Sequence, residues 1–561
     1  MRILRLGLIG LLVSVAACAT PVPQPAADFV LRGGTIYDGS GGAPYVGDVV
    51  IRGDRIACVG RCPGLARHEL DARGLAVAPG FINMLSWANE SLIADGRGQS
   101  DVRQGVTLEV MGEGTSMGPL NEEMKRLRLQ RQQDIRYPIT WTSLGEYLEM
   151  LERKGVSLNV ASFVGATTVR VHELGEKDVD PTPAQLARMR ALVRTAMNEG
   201  AMGVGSSLIY APANFAETPE LVALAEEAGR CGGRYISHIR DEGPKLLEAI
   251  DELVEISAKS GAPAEIYHFK QSGRQNWHKI DAAIARVEAA RARGLKVSAD
   301  MYTYPASSTG FDAAFPLWIQ DGGLEAWVKR LKDPKQRTRA FAEMHRPDAS
   351  ENSKLVVDEP DKVLLVGFKN ETLKPLTGKS LGEVARARGK SPEETAADLI
   401  VEDGTRVQVV YFGMSEENVA REVALPWMSF GSDAAAMAPE GVFLKSSTHP
   451  RAYGNFARLL GKYVRDEKRL SLAEAVRRLA ALPADNLKIA DRGRLKPGNF
   501  ADIAVFDPNK IADQATFAKP QQYAVGMRHV FVNGVAVIRD GEHSGATPGR
   551  FVRGPGWRRC N

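Results

Sequence analysis

The sequence has little excess charge and few cysteines for a chain of 561 residues. Lysine and arginine total 72 against 68 aspartate and glutamate residues, and the resulting formal charge of +4 is too small for the electrostatic footprint of a nucleic-acid-binding protein. The cysteines contain no CxxC pair and no Cys/His cluster of zinc-finger spacing, since they stand at positions 18, 58, 62, 231 and 560. A disulfide scaffold is therefore excluded, although Cys58 and Cys62 can bridge in an oxidising compartment.

The composition is that of an ordinary globular protein. Hydrophobic residues make up 44% and charged residues 25% of the chain, which supplies a large core and argues against disorder. A chain of this length allows three or four domains of about 150 residues, or one barrel with appended domains.

The N-terminal segment has the three parts of a bacterial secretory signal. Two arginines precede an apolar run over residues 6–13, and small residues follow it up to Cys18. Because this run is too short to span a bilayer permanently, residues 1–17 are predicted to be a cleaved signal peptide. Val15-Ala16-Ala17-Cys18 resembles a lipobox, which predicts lipidation of Cys18 and anchoring to a membrane. The alternative is a soluble periplasmic or secreted protein in which Cys18 is incidental.

The residues after Cys18 indicate where such a lipoprotein would reside. Ala19 and Thr20 lack the aspartate that retains lipoproteins at the inner membrane, so we expect an outer-membrane lipoprotein that faces the periplasm. The proline-bearing residues 18–27 are interpreted as a short, stiff tether.

Short runs with strand and turn signals occur near both ends of the chain. Residues 28–76 contain Phe29-Val30-Leu31 and Val49-Val50-Ile51, and a similar texture returns only within residues 486–561. We therefore predict that the two ends form one small β-sandwich domain.

Between these ends, residues 77–485 alternate strand-length apolar runs with amphipathic helical stretches, such as 183–198 and 245–260. Eight runs have strand character, which predicts an α/β fold of the (β/α)₈ TIM-barrel type: 77–84, 107–113, 158–164, 201–206, 234–238, 264–268, 296–302 and 427–433. The stretch from about 310 to 406, between the seventh and eighth runs, is longer than a connecting helix requires. It is interpreted as an inserted subdomain or lid.

Four polar residues close four of these runs, namely Glu113, His238, His268 and Asp433. All strand C-termini of a barrel converge on one face, so these side chains are expected to meet there. One carboxylate and two imidazoles suffice for a catalytic zinc ion that keeps a position open for water. Asp433 could then take a proton from that water and return it to a leaving amine. A single histidine at a strand end is usually structural, but two on consecutive strands with equivalent acidic residues favour a metal site.

Several motifs together resemble the N-acyl-D-amino-acid deacylase (D-aminoacylase) branch of the amidohydrolase superfamily, over nearly the whole mature chain. The matching stretches are residues 29–39, Ala78-Pro79-Gly80-Phe81-Ile82, Arg103-Gln104-Gly105-Val106-Thr107, Ser237-His238-Ile239-Arg240, His268-Phe269-Lys270, Gly431-Ser432-Asp433, His449-Pro450-Arg451-Ala452-Tyr453-Gly454, Asp491-Arg492-Gly493, Ala501-Asp502 and Phe506-Asp507-Pro508.

The resemblance implies a role for each matching residue. His238 and His268 would hold the tightly bound zinc, with Glu113 at the position that in the family is often cysteine, and Asp433 would be the general base and acid. Tyr210 matches a residue that polarises the scissile carbonyl. Further positions match residues that bind the substrate carboxylate or shape its pocket: Lys270, Tyr302, Ser308 and Arg451.

The first predicted barrel strand departs from the superfamily pattern. Members usually carry Asp-x-His-x-His here, whose histidines bind a second metal, but this chain has Asn83-Met84-Leu85-Ser86-Trp87. Neither Leu85 nor Trp87 can ligate zinc. We therefore expect one zinc ion per chain, a pattern that also occurs in the superfamily's N-acetylglucosamine-6-phosphate deacetylases; the alternative is a degenerate, inactive homologue. Gly165-Ala166-Thr167 also replaces the family's Gly-His-Gly.

The sequence thus predicts a metal-dependent amidohydrolase that cleaves the amide bond of small N-acyl-D-amino acids or D-amino-acid-containing dipeptides by a zinc-activated water. Two alternatives stay open: a non-catalytic envelope binding protein that retains the fold, and a dipeptidase or other amide hydrolase.

Overall fold

The computed structural model describes residues 27–560. The predicted signal peptide, Cys18 and most of the predicted tether lie outside the described residues. No helix within residues 27–560 combines the length and the apolar character that crossing a membrane requires.

The strands alternate with helices through the middle of the chain and follow one another directly near its ends. In chain order they are β1 Ala27–Ile36, β2 Tyr45–Arg52, β3 Arg55–Gly60, β4 Ala66–Asp71, β5 Ala76–Pro79, β6 Phe81–Asn83, β7 Val106–Met111, β8 Asn159–Ser162, β9 Val164–Gly165, β10 Gly203–Ser207, β11 Arg234–His238, β12 Ala264–Ile266, β13 Val297–Met301, β14 Ser307–Gly310, β15 Val363–Gly367, β16 Gln408–Tyr411, β17 Met428–Phe430, β18 Ile503–Phe506, β19 Met527–Val532, β20 Val535–Arg539 and β21 Glu542–His543.

The helices are α1 Ser91–Ala94, α2 Gln99–Val102, α3 Glu122–Arg131, α4 Leu144–Lys154, α5 Ala166–Leu174, α6 Pro183–Glu199, α7 Thr218–Arg230, α8 Leu246–Ser260, α9 Ile280–Ala292, α10 Leu324–Leu331, α11 Pro334–Met344, α12 Glu351–Asp358, α13 Leu381–Arg388, α14 Pro392–Asp403, α15 Glu416–Glu422, α16 Arg451–Arg458, α17 Leu472–Val476 and α18 Leu482–Asn486.

The central strands are parallel and enclose a barrel. One sheet has the order β6-β7-β8 and the other the order β17-β13-β12-β11-β10-β9. Two seams join them: β9 continues β8 along the chain, and the Met84 amide donates to the Phe430 carbonyl at 3.1 Å, which brings β6 beside β17. Counting β8 and β9 as one, the eight predicted strand positions are all present, and the predicted barrel is confirmed.

The helices cover the barrel as their patterns predict. α6 begins with a capping box between Thr182 and Gln185, carries Pro183 in its first turn and ends at Gly200, whose φ of +116° is a conformation that L side chains rarely adopt. The buried faces of α6, α7 and α8 join the strands in one large apolar core. This core leaves the polar carboxyl ends of the strands free to form a site.

The two chain ends share a sheet with the order β21-β20-β19-β18-β5-β1-β2-β3, in which β4 also pairs with β1. β1 pairs with β4 over residues 27–32 and with β5 at Thr35 and Ile36, and its pairing with β2 is irregular between Leu31 and Gly34. The predicted strand 77–84 is in fact two strands, because the chain leaves this sheet at β5 and enters the barrel at β6. Gly80 lies between them, and a Cβ there would collide with the Thr107 side chain.

The long stretch between β13 and β17 folds as a unit with its own core. A sheet of order β14-β16-β15 packs with α10 to α14, and buried residues such as Phe311, Trp327 and Leu399 belong to a core separate from that of the barrel. Since β14 and β16 flank the ends of this unit, its sheet lies where it can wall the mouth of the barrel.

Two disulfides pair the cysteines of the described residues. Cys58 bonds Cys62, and Cys231 at the end of α7 bonds Cys560 near the C-terminus, with Cα separations of 5.9 and 5.1 Å. The sequence suggested the first pair only, because nothing in the spacing of Cys231 and Cys560 indicates that they meet.

Candidate active site

Three donor atoms meet at the carboxyl end of the barrel. Glu113 Oε1 lies 2.9 Å from His238 Nδ1 and 3.1 Å from His268 Nε2, and the two ring nitrogens are 3.0 Å apart. All three side chains are buried, and they come from the ends of β7, β11 and β12. The structure thus brings together the three residues that the sequence nominated as metal ligands.

This triangle suits a tetrahedral metal ion. Donor atoms about 2.0–2.1 Å from such an ion lie about 3.3 Å from one another, which is close to the separations seen here. One carboxylate and two imidazoles form a mixed oxygen and nitrogen donor set of the kind that catalytic zinc accepts, with a fourth position open. The residues therefore fit a single zinc ion.

A buried carboxylate supports this triangle from behind. Glu242 Oε1 lies 3.0 Å from His268 Nδ1 and 2.5 Å from Lys270 Nζ, and Lys270 Nζ also lies 2.7 Å from His268 Nδ1. Burial and Lys270 would lower the pKa of His268, but Glu242 and Glu113 outweigh them and raise this pKa to about 10. The buried carboxylates of Glu242 and Glu113 thus stabilise positive charge at this point of the site.

The pKa of Glu113 is displaced in the opposite direction. Burial alone would raise it, but the hydrogen bonds with His238 and His268 hold the pKa of this carboxyl well below its usual range. Burial lowers the pKa of His238. A carboxylate and a neutral imidazole are the forms in which these residues bind a metal ion.

Asp433 stands at the end of β17 in a strained backbone conformation. Its φ is +48°, and that of His268 is +36°, both in the left-handed region that non-glycine residues seldom occupy. The Asp433 amide donates to the Leu85 carbonyl at 2.8 Å, and the His268 amide donates to Asp300 Oδ1 at 2.9 Å. These bonds fix the two backbones, so the strain serves to aim the side chains.

The Asp433 carboxylate is held through both oxygens, one by a hydrogen bond and the other by an ion pair. Trp87 Nε1 lies 3.1 Å from Oδ1, and Arg451 Nη2 lies 2.9 Å from Oδ2. Burial raises the pKa of Asp433, and Arg451 opposes that shift. A carboxyl with a raised pKa is well suited to accept and return a proton near neutral pH.

Arg451 begins α16 with its guanidinium buried beside Asp433. Its amide donates to His449 Nδ1 at 3.0 Å, its Nη2 donates to the Ser308 carbonyl at 3.3 Å, and its guanidinium lies 4.4 Å from the centre of the Tyr302 ring. Arg451 Nε and Nη1 have no hydrogen-bond partner within residues 27–560. A buried cation with two free N–H groups is prepared to bind an anionic ligand.

A cavity of about 770 Å³ opens above these residues and is lined by all of the predicted site residues within the described chain. Tyr210 forms part of its wall, where its hydroxyl bonds Thr309 Oγ1 at 2.8 Å, and burial raises its pKa. Arg406, from the inserted unit, lies over the Tyr210 ring with 5.0 Å between guanidinium and ring centre. The insert therefore contributes directly to the wall of the site.

Some predicted residues are present in orientations that the sequence did not indicate. The Lys270 ammonium bonds Glu242, the Tyr302 hydroxyl bonds Met414 Sδ at 3.4 Å, and the Ser308 hydroxyl donates to the Val409 carbonyl at 2.9 Å. Tyr302 meets Arg451 through its ring face and Ser308 meets it through its backbone. Their part in carboxylate binding stays a prediction.

Glu242 and the bonds of Trp87 were not among the predictions from the sequence. Glu242 follows His238 by four residues in the loop after β11, and a second acidic residue so close to a nominated ligand was the available signal. The sequence shows that Trp87 stands where the superfamily usually has a histidine, but nothing in one sequence indicates that its N–H reaches Glu113 and Asp433.

Comparison with known proteins identifies the relatives of this chain. The Amidohydrolase family profile matches residues 427–538. A D-aminoacylase of Alcaligenes xylosoxydans xylosoxydans is 32% identical over 531 residues, which cover 94% of this chain and 97% of the relative. The chain belongs to the D-aminoacylase branch of the amidohydrolases. The predicted family is thus confirmed.

Solved structures of the same branch have the same fold. An N-acyl-D-glutamate deacylase from Bordetella bronchiseptica, complexed with zinc and a phosphonate mimic of the tetrahedral intermediate, is 29% identical with a TM-score of 0.79, covering 94% of this chain and all of the other. A D-aminoacylase structure, reported with one-metal activation and second-metal attenuation, is 30% identical with a TM-score of 0.78, covering 94% of this chain and 99% of the other.

Proposed function

We propose that this amidohydrolase is a zinc-dependent hydrolase that removes the acyl group from N-acyl-D-amino acids. The observation that carries the proposal is the triangle of Glu113, His238 and His268 with Asp433 and Arg451 beside it in one cavity. Relatives at about 30% identity over almost their whole length, a D-aminoacylase and N-acyl-D-glutamate and N-acyl-D-aspartate deacylases, support this reaction class.

The reaction adds water across the amide bond. A zinc ion held by the three ligands would supply the Lewis acidity that makes water acidic enough to attack a carbonyl carbon. Asp433 takes one proton from the attacking water and delivers it to the amine nitrogen as the C–N bond breaks. The products are a carboxylate and a free D-amino acid, and Asp433 returns to its starting form.

Binding and polarisation fall to the residues around the triangle. Arg451, whose Nε and Nη1 have no hydrogen-bond partner within residues 27–560, would bind the substrate carboxylate through charge-assisted hydrogen bonds. The Tyr210 hydroxyl, kept protonated by its raised pKa, would donate to the carbonyl oxygen as negative charge develops there. Lys270, Tyr302 and Ser308 would support this anionic end of the substrate, the first by its charge and the others through Arg451.

A substrate panel tests the proposal. Purified protein loaded with zinc is incubated with N-acetyl-D-amino acids, their L-enantiomers and D-containing dipeptides, and release of free amine is followed. Turnover of the N-acetyl-D-amino acids above the other classes is expected. Preferential cleavage of dipeptides would identify a dipeptidase, and binding without turnover would identify a binding protein; either result contradicts the proposal.

Replacing Arg451 by lysine is expected to reduce kcat/KM about 100-fold for N-acetyl-D-amino acids, because a lysine ammonium lacks the planar, multi-donor guanidinium that binds carboxylates. The substrate α-carboxamide provides the control. It lacks the carboxylate, so the native enzyme should have a lower kcat/KM for the carboxamide than for the acid. In Arg451→Lys, the ratio of kcat/KM for the acid to kcat/KM for the carboxamide should be smaller than in the native enzyme. An unchanged ratio would show that the carboxylate binds elsewhere.

We further propose that the mature protein is a lipoprotein of the bacterial cell envelope, anchored through Cys18 and facing the periplasm. The N-terminal signal sequence supports this location. The two disulfides support it as well, because disulfides are typical of oxidising compartments. Replacing Cys18 by alanine in the full chain is expected to move the protein from the membrane fraction to the soluble fraction. A distribution unaffected by that change would refute the anchor.

A further inference from the structure

The indole of Trp87 lies between two carboxylates of the site. Its Nε1 is 2.9 Å from Glu113 Oε2 and 3.1 Å from Asp433 Oδ1. Each of these oxygens belongs to a residue that the proposed reaction uses, and Glu113 Oε2 is the oxygen that the ligand triangle leaves free. A single N–H group therefore joins the proposed ligand to the proposed base.

The backbone holds Trp87 in this place. The Trp87 amide donates to the Ala434 carbonyl at 2.9 Å, the Asp433 amide donates to the Leu85 carbonyl at 2.8 Å, and Ser86 forms a parallel bridge with Ala434. The chain after β6 is thus tied to the chain after β17 over the residues that lead into the indole. Although the Trp87 side chain is 37% exposed, its N–H end is aimed inward.

Two carboxylate oxygens that face a common point usually require a positive group between them, because their like charges repel. A cation would satisfy both oxygens, but it would also occupy the Asp433 lone pairs that must receive a proton. A neutral N–H donates one shared hydrogen bond and leaves further lone pairs on Oδ1 available. Leu85 is the other residue that stands where the superfamily usually has a metal-binding histidine. It is buried, and its side chain has no hydrogen-bond donor.

We propose that Trp87 is a positioning residue that takes the place of a second cation. Its N–H turns Glu113 so that Oε1 faces the two histidines, and it aims Asp433 at the position of the attacking water. It also keeps the site to a single metal ion. This inference rests on the proposed function, since it presumes that the triangle binds zinc.

Three variants test this assignment, with zinc per chain and steady-state kinetics measured for each. Trp87→Phe keeps the ring and removes the N–H; it should retain one zinc and lower kcat about tenfold, with KM changed less than twofold. Trp87→His places an imidazole beside Glu113 Oε2 and Asp433 Oδ1, which together would give three ligands for a second metal ion. In excess zinc this variant should take up a second ion per chain and lose turnover. Trp557→Phe is the control, because Trp557 is similarly exposed, at 39%, and does not line the cavity.

The outcomes separate this inference from the proposed function. An active native protein whose kcat is equal in Trp87→Phe and Trp557→Phe would overturn the role of Trp87 alone, as would a native protein that binds two zinc ions. A native protein that binds no zinc, or that turns over no substrate of the panel, would overturn both. Thermal unfolding of each variant checks that the fold is intact, and Trp87→His still answers the question if Trp87→Phe is unstable.

Discussion

Asp433→Asn is expected to lower kcat for N-acetyl-D-amino acids by about 10³-fold, within the range seen for loss of a general acid and base. The amide has nearly the shape of the carboxylate but only one acceptor oxygen, so it can keep the bond from Trp87 only with its NH2 group turned toward Arg451. It cannot accept the proton of the attacking water, and it has none to give to the leaving amine. The measurement is steady-state kinetics on zinc-loaded protein, with zinc per chain determined on the same sample.

The zinc content decides how that result is interpreted. Because Asp433 is not one of the three ligands, the variant should keep the native zinc content, and Asp540→Asn, at an exposed residue of the terminal sheet, should keep both zinc and activity. Full turnover in Asp433→Asn would remove Asp433 from the mechanism. Loss of zinc together with turnover would instead make Asp433 a ligand.

His238→Ala is expected to abolish both zinc binding and turnover. It deletes one of three donors, and two donors no longer enclose the ion, so zinc affinity should fall by orders of magnitude. Zinc per chain after gel filtration and residual turnover are the readouts, and a thermal unfolding curve verifies that the variant is folded. Prolonged dialysis of the native protein against a chelator should produce the same inactive state, and added zinc should restore activity only to the native chain.

His345→Ala is the matched control for this experiment. His345 lies in the inserted unit, is about half exposed and contacts Glu393 rather than the cavity residues. It should leave zinc content and kcat unchanged. A His238→Ala protein that retained one zinc and turned over substrate would exclude the proposed metal centre.

The sequence predicted the barrel and the ligand triangle because both follow from a local rule. Parallel strands are buried on both faces, so their apolar runs stand out, and polar residues at their carboxyl ends must share one face. Glu113, His238 and His268 could therefore be nominated from their positions at strand ends. The departure at Leu85 and Trp87 was equally visible, since it required only a comparison with a known motif.

What the sequence could not predict depends on contacts between distant segments. Glu242 supports His268 through the path of the loop after β11, and the indole of Trp87 reaches Glu113 and Asp433 because β6 and β17 are neighbours. The pairing of Cys231 with Cys560 likewise requires the last residues to return to the barrel. The periodicity and spacing of residues describe one helix or strand at a time, so they do not predict contacts between elements that are distant in the sequence.

The sheet shared by the two chain ends has a consequence for the order in which this protein folds. β5 receives its neighbour β18 only after the whole barrel has been synthesised, so the edge of β5 that β18 covers emerges without a partner. Pairing between strands that are so far apart in the sequence slows folding and prolongs the lifetime of aggregation-prone intermediates. We expect chains that stop short of β18 to aggregate rather than to form a smaller native protein.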